Sequence, residues 1–165
     1  MMKPRYMLCC EERVVDQETG LVTYYNVTDQ LSVISSTTDV RTVVPLPLPK
    51  LVVSAVWARD IETEDRDELC QHEMRMLVPG EETPRVLHTG EFQFGECRYY
   101  RFDLVLQPQP KPSGDVPAST ICLRPGILRL ESRVRREVDT AWLSQEYEIP
   151  IVFLSGSKNI PVSSS

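Results

Sequence analysis

The feature that most constrains this chain is an alternation of apolar and polar residues with a period of two. Successive strand residues face opposite sides of a sheet, so a strand buried on one face reads apolar, polar, apolar. In Tyr147-Glu148-Ile149-Pro150-Ile151-Val152-Phe153, the residues Tyr147, Ile149, Ile151 and Phe153 share one face, with Glu148 and Pro150 on the other. Pro150 lacks an N–H, which predicts an edge strand or a bulge at that point. Residues 98–106 set Tyr100, Phe102, Leu104 and Leu106 against Tyr99, Arg101, Asp103 and Val105. Residues 127–134 set Leu128, Leu130 and Val134 against Arg129, Glu131 and Arg133. A helix over 127–138 would place Glu131 and Ser132 beside Leu128, so the strand reading prevails. Leu51 to Ala58 is apolar on both faces, as in a central strand covered on each side. Further strands are predicted over 5–14, 21–27, 30–35, 71–78 and 85–94.

Turn signals separate these runs. Asp16-Gln17-Glu18-Thr19-Gly20 offers a glycine for positive φ, and Pro79-Gly80 and Pro125-Gly126 favour type II turns. Eight or more short strands without alternating helical segments predict an all-β fold, an antiparallel sandwich rather than a parallel α/β sheet. A chain of 165 residues, 41% hydrophobic and 25% charged, is the size of one domain, and such a domain buries roughly 70% of its unfolded surface. The predicted sandwich domain covers residues 1–154. Within it, Pro45-Leu46-Pro47-Leu48-Pro49 is expected to be polyproline-like and to cross between sheets. Residues 107–119 carry four prolines and resemble a linker, but too few residues follow to build a second core, so they are read as an exposed insertion. Residues 155–165 form a flexible tail.

A resemblance adds to this reading. Cys10-Glu11, the turn Asp16-Gln17-Glu18-Thr19-Gly20 and the segment Asn26-Val27-Thr28-Asp29 resemble the N-terminal hairpin of an uncharacterised bacterial family, a domain of unknown function. That family pairs a cysteine and an acid with a D-x-x-T-G turn and a strand ending in aspartate. Here Glu11 stands for the usual aspartate and Leu21 for the lysine after the glycine. Phe92-Gln93-Phe94 and Tyr99-Tyr100-Arg101-Phe102 also look like its paired strands, so the likeness extends over residues 8–106. It implies an immunoglobulin-like β-sandwich in a bacterial cytosolic protein and brings no activity with it.

The net charge of −6 repels phosphate backbones and anionic lipid surfaces, which argues against nucleic acid and membrane as partners. The longest apolar runs fall far short of the roughly 20 residues that span a bilayer. Met1-Met2-Lys3-Pro4-Arg5 leads into a mixed stretch where a secretory signal would keep a long apolar run. Cys9, Cys10, Cys70, Cys97 and Cys122 are odd in number and irregular in spacing, unlike a disulfide framework. A cytoplasmic protein with reduced, mostly buried thiols is expected.

Little in the chain points to catalysis. His72 and His88 are the only histidines. Cys70-Gln71-His72 places a thiol and an imidazole on one strand face, where they could share a ligand or a proton, but metal binding needs further donors and no C-x-x-C pair exists. Asp60, Glu62, Glu64, Asp65, Asp67 and Glu68 form an acidic run without the glycine that a calcium loop wants, so a solvated charge run is expected. No G-x-S-x-G, Walker-type or dinucleotide-binding motif occurs. Asn26-Val27-Thr28 matches a glycosylation acceptor by chance. No catalytic residue, metal ligand or cofactor is predicted.

Two binding features remain. Trp142, flanked by Thr140 and Ser144, is the better exposed of two tryptophans and suits a stacking platform, whereas Trp57 lies in an apolar run and belongs to the core. Arg129, Arg133 and Arg135, with Arg136, form the densest basic cluster. They suit an acidic partner or a phosphate, although cross-strand pairing with Glu146 and Glu148 accounts for them more simply. The reading is a non-enzymatic binding or scaffold module that meets a protein partner, or a second copy, through loop 107–119 or the hairpin near 127–153. The alternative is a small-ligand or carbohydrate-binding sandwich, and behind it a Cys/His metal-dependent hydrolase.

Overall fold

The computed structural model describes residues 2–18, 21–35, 49–59, 67–106 and 124–155. These residues are all-β: nine strands in two sheets, with no helix among them. The strands are β1 (Lys3–Val15), β2 (Val22–Val27), β3 (Leu31–Ser35), β4 (Leu51–Ala58), β5 (Cys70–Leu77), β6 (Arg85–Phe92), β7 (Tyr99–Leu106), β8 (Gly126–Arg136) and β9 (Leu143–Ser155). One sheet has the order β2-β1-β4-β7 and the other β3-β9-β8-β5-β6. The five-stranded sheet curls into a half-barrel.

The expected strands form close to where alternation places them. β5 alternates strictly between buried and half-buried positions, and every residue of β4 is buried. The outer side of β4 is covered because the distal part of the β1–β2 hairpin folds over it. Tyr24 Oη meets Ser54 Oγ at 3.0 Å and Tyr6 Oη at 3.1 Å, and Arg13 reaches Asp103 at 2.8 Å. Pro79-Gly80 turns as expected, with Gly80 at φ +84° and Glu81 N–H donating to Val78 O at 3.0 Å.

Three expectations need correction. The sheets are not wholly antiparallel, because β3 runs parallel to β9 with Leu31 opposite Ile151. β9 is therefore not an edge strand in sheet order, yet β3 flanks only its second half. Pro150 pairs with Ile127 on one side and lies just before the first β3 pair on the other, where a missing N–H costs no ladder bond. Pro125-Gly126 does not make a turn like the first: Gly126 has φ +142° and opens β8. A Cβ there would lie 2.9 Å from Pro79 Cβ, so close approach as well as backbone conformation selects glycine. The crossover expected at Pro45–Pro49 (but for Pro49), the insertion 107–119, Cys122 and the tail after Ser155 lie outside the described residues.

The interior has two apolar halves. Leu51, Val53, Met74, Met76, Leu128, Leu130 and Ile149 fill one; Met2, Trp57, Cys70, Phe92, Phe94 and Val134 fill the other. Between them, β5 and β8 each place a polar side chain inside, His72 and Ser132. Ser132 Oγ accepts from Trp57 Nε1 at 3.0 Å and lies 3.0 Å from His72 Nε2. Its own proton is thus free for the imidazole, whose centroid lies 4.0 Å from that of Phe102 with the rings tilted by 43°. Burial, reinforced by His88, lowers the pKa of His72 to about 4 and keeps the ring neutral.

Candidate functional site

Alternation turns Gln71, Glu73 and Arg75 of β5 and Arg129, Glu131, Arg133 and Arg135 of β8 to the outside of the five-stranded sheet. Register then decides who meets whom. Arg129 lies opposite Glu148, Arg133 opposite Glu73 and Arg135 opposite Gln71. Arg129 Nε donates to Glu148 at 2.6 Å, so the expected pairing toward β9 forms at that residue. Arg133 instead turns to β5, where its Nε donates to Glu73 at 2.6 Å. Glu131 directly faces Glu146, a repulsive pair relieved by Arg75 at 3.3 Å from Glu131.

Arg135 differs from its neighbours. Its Nε and Nη2 donate to Gln71 Oε1 at 2.9 and 2.7 Å, and among the described residues no carboxylate pairs with it. Trp142, at the turn between β8 and β9, meets both arginines: the guanidinium carbons of Arg133 and Arg135 lie 4.4 and 4.7 Å from its ring centroid. Beside this stack runs an open groove of about 320 Å³, lined by Trp142, Arg135, Gln71, Glu73, Thr89 and Glu91, with His72 and Gly90 at its base. Gly90 lies opposite His72, and a side chain at position 90 would point inward toward His88 Nε2. The structure therefore brings Trp142, Arg133 and Arg135 together and leaves Arg129 apart, toward the other end of β8.

Cys70 and His72 do share a face, the interior one, but their polar atoms part. The Cys70 thiol meets Met2 Sδ and Glu68 O, each at 3.8 Å, while the imidazole meets Ser132. Among the described residues no three ligating side chains gather as a metal site would need. Cys9, Cys10 and Cys70 are buried, and Cys97 is exposed. Burial, then the neighbouring Cys10, raises the Cys9 pKa to about 12, so that thiol stays protonated and unreactive.

A second surface escapes a strand-by-strand reading of the sequence. On the outside of the four-stranded sheet, Lys3, Ala58 and Tyr99 lie in one cross-strand row and Tyr6, Val56 and Arg101 in the next. A bulge between Pro4 and Tyr6 leaves Arg5 as the extra residue and aims it at Tyr99. Arg5 and Arg98 lie 5.8 and 5.6 Å from the Tyr99 ring centroid. Arg98-Tyr99-Tyr100-Arg101 hints at such a patch, but only pairing through β4 brings in Lys3 and Arg5.

No family model matches the chain. No curated protein matches it either.

Proposed function

We propose that this chain is a non-enzymatic binding module with an immunoglobulin-like sandwich, acting through protein–protein contacts on the outside of its five-stranded sheet. The observation that carries the proposal is the Arg133–Trp142–Arg135 stack beside its groove. A rigid aromatic anchor held by arginines, next to a concave polar surface, is the chemistry from which binding hot spots are built. The immunoglobulin-like reading is supported by strand order. β1, β4 and β7 keep one sheet and β9, β8, β5 and β6 the other, while β3 joins the second sheet parallel to the last strand.

The non-enzymatic part of the proposal rests on depth. Ser132 and His72 are spaced like a nucleophile and its base, but they are 0% and 2% exposed, with the serine in the interior even though residue 72 borders the groove. A cytoplasmic setting suits the buried free thiols. A second reading, a small-ligand or sugar site, is favoured by the groove's volume alone. Against it, Trp142 is already engaged by two guanidinium groups, at 4.4 and 4.7 Å from its ring centroid.

The test is a photo-crosslinking residue at Thr89, followed by identification of the captured protein and its purification. Trp142→Ala is expected to weaken binding of the purified partner by about thirtyfold, a loss of roughly 2 kcal/mol. Equal binding by variant and wild type would remove this face from the proposal. Saturable binding of a free glycan lost in the same variant would favour the second reading.

A further inference from the structure

Six of the twelve described arginines of this chain pair with a carboxylate. Arg13 has Asp103, Arg75 has Glu131, Arg85 has Glu81, Arg129 has Glu148, Arg133 has Glu73, and Arg136 has Asp139. At one end of the four-stranded sheet the pattern fails. Lys3, Arg5, Arg98 and Arg101 are exposed around Tyr99, itself 51% exposed, and no carboxylate among the described residues pairs with any of them. The nearby carboxylate Asp103 is already held by Arg13 and by Ser54 Oγ at 2.7 Å. Glu96 is the one acid in the turn that leads to Arg98.

Behind the patch lies a fifth cation. Arg59 is 4% exposed, and its guanidinium donates to Gly95 O and Cys97 O, each at 3.0 Å. Among the described residues its Nη1 has no hydrogen-bond partner. A cation buried against carbonyl groups is screened less by water than an exposed one, so it adds to the field of the four outside. In a chain of net charge −6, this concentration of one sign around an exposed ring, unmatched by a carboxylate of the described residues, attracts negative charge.

We propose that this patch docks a short segment of a protein partner rich in aspartate and glutamate. Size selects that occupant. Strands lie about 4.8 Å apart and alternate residues about 6.6 Å, so the patch measures on the order of 10 by 7 Å, room for two or three carboxylates. A longer polyanion would run off it onto the acidic remainder of the molecule. Arg5 and Arg98 present guanidinium forks that bind carboxylates in pairs, and the Tyr99 ring holds both forks in place. This surface lies on the opposite sheet from the Trp142 groove, so either proposal can fail without the other.

The experiment is fluorescence anisotropy of a labelled peptide carrying three consecutive glutamates between glycine and serine residues, titrated with the full chain at low ionic strength. Saturable binding is expected, abolished at about 1 M salt, where the Debye length is about 3 Å. The double variant Arg5→Gln, Arg98→Gln is expected to lose about tenfold or more in affinity. The separate reversal Arg101→Glu should do the same, and Arg129→Gln should bind like wild type. Absence of saturable binding, or equal affinity in both patch variants and wild type, overturns the proposal. Tighter binding of a labelled single-stranded oligothymidylate than of the peptide also overturns it, in favour of a nucleic-acid surface.

Discussion

The outer faces of the two sheets carry similar side chains and treat them in opposite ways. On the five-stranded sheet, register sets Arg129 against Glu148 and Arg133 against Glu73, so charge is cancelled between neighbouring strands and only Arg135 is left without a carboxylate. On the four-stranded sheet, the residues opposite Lys3 and Arg101 are Ala58 and Val56, which cannot cancel anything. The difference shows that a basic residue's role is set by what lies opposite it. Arginines spaced two apart in sequence are largely neutralised across strands on one sheet, and basic residues scattered from residue 3 to residue 101 stay unpaired, among the described residues, on the other.

Any comparison of the faces in acid must first remove the interior they share. The folded His72 imidazole has a pKa of about 4, below the ordinary 6.5, so the unfolded chain takes up the proton first. Stability is complete above about pH 6.5 and falls as the pH drops toward 4, by up to about 3 kcal/mol for a difference of this size. Urea unfolding at pH 7 and pH 4.5 should show this loss in wild type and a much smaller one in His72→Gln. An equal loss in both would place the acid sensitivity on the paired glutamates of the outer face.

The next effect separates the faces directly. Arg133→Met leaves the half-buried Glu73 without its main partner and takes a cation from Trp142. It should destabilise by about 2 kcal/mol in urea unfolding at neutral pH. A loss below about 0.5 kcal/mol would mean that the pairing is ornamental. The smallest effects fall on the exposed groups. Arg129→Ala should leave the urea midpoint close to that of wild type, since both partners are nearly half exposed. Arg5→Gln with Arg98→Gln should leave the thermal midpoint unchanged or raise it, because unpaired like charges repel. A clear fall would show that the patch serves the fold.

Much of the fold is legible in the sequence because it is local. Leu128, Leu130 and Val134 against Arg129 and Arg133 already state a strand and its inner face, and the uniform apolarity of Leu51 to Ala58 states a strand covered twice. Ser132 breaks the apolar series of β8 and His72 that of β5, but nothing local says that the two breaks meet. Register between distant strands is not written in either strand alone. The same limit hides the partner of Arg133, the parallel seat of β3 and the meeting of Arg5 with Tyr99. Trp142 and the arginines are visible as separate candidates, and only the turn after β8 makes them one site.

The parallel pairing of β3 with β9 has a consequence for how the chain comes into being. The β1–β2 hairpin can close as soon as Val27 leaves the ribosome, but Leu31 must wait for Ile151. At synthesis rates of about 5–20 residues per second, that wait is on the order of ten seconds. During it, β3 is an unclaimed strand beside a finished hairpin. Closure of the five-stranded sheet around β3 therefore waits on β9, the last of the nine described strands to be made.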